Sequence, residues 1–157
     1  MATVRESVVV NMPLSQTYNQ WTQFEEFPRF MTGVESVRQV DETTVHFQTR
    51  IAGLRRGFDA RILAQIPDEL ISWESVEGPH HSGTVTFHAV STVETRVTVE
   101  VDWDPRTVLE RAGATAHLED RQIKKNLERF KEFIEGREVE TGAWRGSIAG
   151  GKVEGRS

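Results

Sequence analysis

The sequence predicts an α+β domain in which a curved antiparallel sheet of seven strands wraps around one long C-terminal helix, with two short helices after the first strand. Three observations predict it. From Val34 to Trp103, apolar residues alternate with polar ones, the period of half-buried strands. From about Leu118 to Gly136, the spacing changes to that of an amphipathic helix. A cluster of aromatic residues between Tyr18 and Met31 precedes both. Such an order leaves room for an apolar ligand between sheet and helix.

Residues 4–11 read as the first strand, because Val8-Val9-Val10 is β-branched and suits a pleated surface. Met12-Pro13 ends it, since proline donates no ladder hydrogen bond. Tyr18, Trp21 and Thr22 share one helical face, and Phe24, Phe27, Phe30 and Met31 form a second apolar cluster that Pro28 interrupts. Two short helices in a V follow from this.

Six strands then alternate with short connections. Val37–Val40 and Val45–Thr49 flank a turn at Asp41-Glu42-Thr43, and Ala52-Gly53 marks the next turn. Phe58, Ala60, Ile62, Ala64 and Ile66 make one face of a long strand, with Gln65 on the other. Pro67-Asp68-Glu69 is a turn, after which Ile71, Trp73 and Ser75 share a face. Gly78-Pro79 opens a loop that also holds His80, His81, Ser82 and Gly83. Val85 and Phe87, then Val97, Val99, Val101 and Trp103, complete the pattern.

Asp104-Pro105 stops the last strand, and a helical turn or two is expected over Thr107–Ala112. In the final helix, Ile123, Leu127, Phe130 and Ile134 form the apolar stripe, Phe133 widens it, and Gly136 caps it. The division expected is a ligand-binding domain over residues 1–140 and a glycine-rich, flexible tail over residues 141–157.

Composition narrows the function. The 157 residues are enough for one domain with a real core. A net charge of -5 argues against a nucleic-acid partner. The absence of cysteine excludes disulfides, thiolate metal sites and thiol nucleophiles. The N-terminus lacks the order of a signal peptide, and no apolar run reaches the ~18–20 residues that span a bilayer. A cytoplasmic monomer or homodimer is expected.

The segments Tyr18–Met31, Ala64–Glu69 with Ile71-Ser72-Trp73, and Leu127–Glu135 resemble those of the START-like (SRPBCC) superfamily, also called helix-grip or Bet v 1-like. Within it they look like the bacterial polyketide cyclase/dehydrase and coenzyme Q-binding branch. The resemblance covers about residues 3–137. It implies an internal cavity. It implies no catalytic set, because members range from lipid carriers and hormone receptors to aromatase/cyclases.

The expected function is binding of a hydrophobic small molecule, lipid, polyketide or isoprenoid-like, without a cofactor. The candidate ligand-binding residues are Tyr18, Trp21, Phe27, Phe30, Phe47, Phe58, Trp73, Phe87, Ile123, Leu127 and Phe130, with Ile62, Val99 and Val101 beside them. For any one of these, plain core packing competes with ligand contact. One alternative is a polyketide aromatase/cyclase or dehydratase. Tyr18 is its candidate catalytic residue, since a phenol in an apolar pocket polarises a carbonyl. The other alternative is an interaction or stress-related domain with a residual cavity. His80-His81 does not read as a metal site, because neighbours on a strand point to opposite faces. His46 and His88 read as outward, His117 as an aid to helix entry, and Arg50, Arg55, Arg56 and Arg61 as an exposed rim.

Overall fold

A computed structural model describes residues 2–31, 33–51, 54–76, 81–103, 116–137 and 142–154. The expectations placed at Ala52-Gly53, over Gly78 to His80, at Asp104-Pro105 and over Thr107–Ala112 lie outside the described residues, as does the side chain of His117.

The chain runs β1 (Ala2–Val10), α1 (Leu14–Trp21), a 3₁₀ helix (Phe24–Arg29), β2 (Val34–Gln39), β3 (Thr44–Ile51), β4 (Leu54–Ile66), β5 (Leu70–Ser75), β6 (His81–Ala89), β7 (Thr95–Trp103), α2 (Ala116–Arg137), β8 (Ser147–Ala149) and β9 (Lys152–Glu154). The sheet order is β1-β7-β6-β5-β4-β3-β2, with β8 on β4 and β9 on β8. Every pairing is antiparallel. This is the α+β helix-grip fold, with nine strands among the described residues where seven were expected.

The six hairpin strands follow the sequence pattern because each turn carries its own chemistry. Asp41 accepts the Thr43 amide at 2.9 Å and closes the β2–β3 turn with its side chain. Asp68 takes the left-handed conformation (φ 64°) in the β4–β5 turn, a region that Asp and Asn tolerate better than most side chains. At the other end of the sheet, Thr95 Oγ1 donates to the Met12 carbonyl at 2.8 Å. That bond holds the chain where proline ends β1 and α1 begins.

One face of α2 carries the burial. Leu127, Phe130 and Ile134 are at most 1% exposed, and Ile123 and Phe133 flank them. Lys124 ties the helix to β1 through the Ser7 carbonyl at 2.8 Å, and Glu135 accepts the Asn11 amide at 2.7 Å.

Two expectations are corrected. The first is the face of β4. The β4–β5 register shifts between Ile62 and Ala64. One inserted residue exchanges the two faces of a strand beyond it. Gln65 is therefore buried at 1% exposure, while Ile66 is exposed. The second correction is the tail, which was expected to be flexible. Residues 147–149 and 152–154 form a hairpin. It adds to β4 through Gln65 opposite Ile148, and through the Gly151 amide bonding to the Leu63 carbonyl at 3.0 Å. The reason is geometric. β3 pairs with β4 only up to Arg61, so the far end of β4 offers unpaired backbone groups on that side. The hairpin satisfies part of this edge and buries Ile148 at 1% exposure.

The tail also covers α1. The Trp144 amide donates to Thr22 Oγ1 at 3.1 Å, and Arg145 donates to Asn19 Oδ1 at 2.6 Å and to Asp68 Oδ2 at 2.8 Å. With the sheet beneath and the tail above, every residue from Thr17 to Trp21 is buried. An amphipathic helix with one solvent face does not show this pattern.

Candidate ligand cavity

A partly enclosed cavity of about 190 Å³ lies between the concave face of the sheet and the helices. Each wall has a local cause. Trp21 comes from α1, Phe24 and Phe27 from the 3₁₀ helix, and Met31 follows them. Strand alternation supplies Val45 and Phe47 from β3, Phe58, Ala60 and Ile62 from β4, Ile71 and Trp73 from β5, Val85 from β6, and Val99 and Val101 from β7. From α2 come Ile123, Asn126 and Leu127.

The rings are fixed against one another. Phe47 and Phe58 stack with centroids 5.2 Å apart and planes 6° from parallel. Trp21 meets Phe27 edge-on at 5.5 Å. The Trp73 indole lies over Gly83, where an added Cβ would come within 2.6 Å of it. Gly83 is thus the residue that lets the indole lie back against the sheet and leave the cavity open.

His81 belongs to β6 and shares the inward face with Gly83 and Val85. Its ring meets Phe58 edge-on at 4.8 Å and Trp73 at 5.1 Å. It therefore stands beside two wall residues, and His81, Ser82 and Gly83 are strand residues in place of the loop expected for them, because β6 pairs with β7 from His81 onward. Its backbone amide donates to Ser75 Oγ at 3.0 Å. None of the wall residues named above is titratable, and Asn126 is their one amide side chain.

Seven of the eleven candidate residues line the cavity: Trp21, Phe27, Phe47, Phe58, Trp73, Ile123 and Leu127. Four are not among those lining residues. Phe30, Phe87 and Phe130 sit one layer behind the wall, packed on Trp21 at 6.4, 6.2 and 4.8 Å between centroids. Tyr18 is fully buried, edge-on to Phe87 at 5.3 Å. Its hydroxyl accepts from Gln65 Nε2 at 3.0 Å, and the Arg145 guanidinium lies 5.5 Å from its ring centroid. Burial pushes its pKa up to about 12, with the Gln65 bond pulling the other way. A phenol so placed is a strut between α1, β4 and the tail.

Phe24, Met31, Val45, Ala60, Ile71, Val85 and Asn126 were not among the expected wall residues. Strand phase was signal enough for Val45, Ala60, Ile71 and Val85, which alternate in step with Phe47, Ile62, Trp73 and Phe87. Asn126 gave only its helical place beside Ile123.

Five other polar groups weighed as chemistry lie away from the cavity wall, and the Arg56 side chain lies outside the described residues. His88, Arg50, Arg55 and Arg61 are exposed. His46 Nδ1 meets Asp59 at 2.7 Å, away from the cavity wall. Among the described residues, no group of three metal-ligating side chains comes together, and no helix is long and apolar enough to cross a membrane.

A curated relative, an uncharacterized 17.2 kDa protein in the melC2-rnhH intergenic region of Streptomyces lincolnensis, is 46% identical over 149 residues, covering 94% of this chain and 99% of the relative. The crystal structure of Zhui aromatase/cyclase from Streptomyces sp. R1128 superposes with a TM-score of 0.73 at 16% identity, over 91% of this chain and 99% of that one. A START superfamily protein from Mycobacterium smegmatis superposes at 0.66 with 13% identity, over 86% and 95%. At such identities these two structures show a shared fold alone. The family model for polyketide cyclase / dehydrase and lipid transport matches residues 10–132, which span β2–β7, the aromatic helices before them and most of α2. The chain belongs to the polyketide cyclase / dehydrase and lipid transport family.

Proposed function

We propose that this protein binds a hydrophobic small molecule in the cavity between the sheet and α2. One observation carries the reading: some 190 Å³ of space is walled, among the described residues, by rings and aliphatic chains with a single amide. Sites that hold small molecules are mostly apolar with a few polar groups. The volume also limits the ligand. A dry apolar cavity of about 150 Å³ holds benzene, whereas drug-sized ligands occupy about 300–1,000 Å³. A ligand of one or two fused rings, or a chain segment of similar bulk, fits the space as it stands. A whole lipid or a long polyketide requires the cavity to widen.

The second reading is a polyketide cyclase or dehydratase. It is favoured by the family description and by the fold shared with an aromatase/cyclase. It needs a polar group to bind a reacting carbonyl or move a proton. Tyr18 does not supply one, since it is buried behind Phe87. Binding needs only the apolar wall, whereas proton transfer would fall to His81, which stands beside Phe58 and Trp73.

Naphthalene titrated into the protein tests the proposal, with tryptophan emission as the readout, because Trp21 and Trp73 both line the space. Saturable binding is expected. Gly83→Ala should weaken it severalfold, because the new methyl drives the Trp73 indole into the cavity. A protein that takes up no naphthalene, or a Gly83→Ala variant that binds it as well as the parent, would count against the cavity as the site.

A further inference from the structure

We infer that Asn126 sets which ligand the cavity accepts, by hydrogen bonding to a hydroxyl or carbonyl on an otherwise apolar, ring-sized molecule. The inference rests on the binding reading above and deepens it. Asn126 lines the cavity between Ile123 and Leu127, inside the 22-residue helix α2.

Asparagine is among the poorer helix formers, because its side chain competes for backbone hydrogen bonds. Ligand sites are mostly apolar, with a few polar groups that fix the ligand's orientation. Among the described wall residues, Asn126 is the group of that kind.

The chemistry of the amide narrows the ligand class. It offers two N–H donors and two acceptor lone pairs, so a bond to a neighbouring protein group leaves capacity for a ligand. It carries no charge, and none of the wall residues named above is titratable. A carboxylate or ammonium drawn into this wall would lose its hydration, and the titratable group beside the wall, His81 against Phe58 and Trp73, is not one of its members. A neutral hydroxyl or carbonyl loses far less, and the amide, which both donates and accepts, restores its hydrogen bond. The ligand class is therefore a neutral, mostly apolar compound with one polar oxygen, such as a phenol or a cyclic ketone.

Binding of 2-naphthol and of naphthalene is compared in the parent, in Asn126→Leu and in Asn126→Ala, the last leaving the space free. The parent should favour 2-naphthol by about three- to tenfold, the range of one neutral hydrogen bond. Both variants should lose that preference while naphthalene binds as well or better. If naphthalene binds but the preference is absent in the parent, or survives both substitutions, the role of Asn126 is overturned and the cavity reading stands. Equal weakening of both probes with a lower melting temperature would mark Asn126 as structural and also overturn it. Failure of both probes to bind the parent removes the cavity reading and this inference together.

Discussion

Removing the hydroxyl of Tyr18 would strand the amide of Gln65, which is 1% exposed and donates to it. A buried donor left without its acceptor costs about 1–3 kcal/mol. Tyr18→Phe should lower stability by that order in urea denaturation and leave naphthalene affinity unchanged, because Tyr18 is not on the wall. The single tyrosine of the chain makes its ionisation directly readable as tyrosinate absorbance. Its folded-state pKa is raised from 10.0 to about 12 by burial, so the neutral phenol is the form the fold favours. Stability from this source is intact below about pH 10. It is lost as pH rises from there through about 12, since the unfolded chain ionises first. Tyr18→Phe should show a flatter stability profile in that window. A native tyrosinate midpoint near the ordinary 10 would contradict the strut. At this scale the sequence placed Tyr18 correctly on the buried face of its helix. It could not give the partner, because Gln65 alternates as an outward residue until a register shift in β4 turns it inward.

At the scale of elements, what the sequence made readable was what repeats. The stripe through Leu127, Phe130 and Ile134 sustains its period over several turns, and the structure extends the expected helix only by two residues before Leu118 and one after Gly136. The hairpins from β2 to β7 carry both alternation and turn residues. The β8–β9 hairpin has neither asset: three-residue strands are too short to show a period, and their partner lies far back in the chain at Gln65. Glycines that suggested a loose tail include the turn itself, where Gly150 and Gly151 take φ of 58° and 76°. The tail should therefore be structural. Ile148→Ala should cost about 2–5 kcal/mol, as for other fully buried aliphatic residues. Deleting residues 142–157 should cost more, since it also removes Arg145 from Asp68, Asn19 and Tyr18. Denaturation midpoints unchanged by either substitution would show that the hairpin does not bear on the fold.

At the scale of the whole molecule, core and cavity are one aromatic assembly in two layers. Trp21 belongs to both: it faces the cavity and packs its other contacts on Phe30, Phe87 and Phe130. The sequence supplied the members of this assembly but not the layer each occupies. Depth follows from sheet curvature and helix seating, which no local spacing records, so Phe30, Phe87 and Phe130 looked the same as Phe27, Phe47 and Phe58. The layering makes a prediction that separates core from wall. Phe130 is fully buried against Trp21 and Phe30, and Phe130→Ala should destabilise the protein by about 3–5 kcal/mol. The vacated space lies directly behind Trp21, so the indole gains room to retreat and the cavity gains depth. Larger ligands should benefit. The affinity of anthracene relative to naphthalene should rise in Phe130→Ala, measured where the variant remains folded, while the parent, held to about 190 Å³, should prefer the smaller probe. If Phe130→Ala loses stability but leaves the size preference where it was, the two layers are mechanically independent. Trp21 would then be a fixed wall, and the volume of the cavity would be set by the sheet alone.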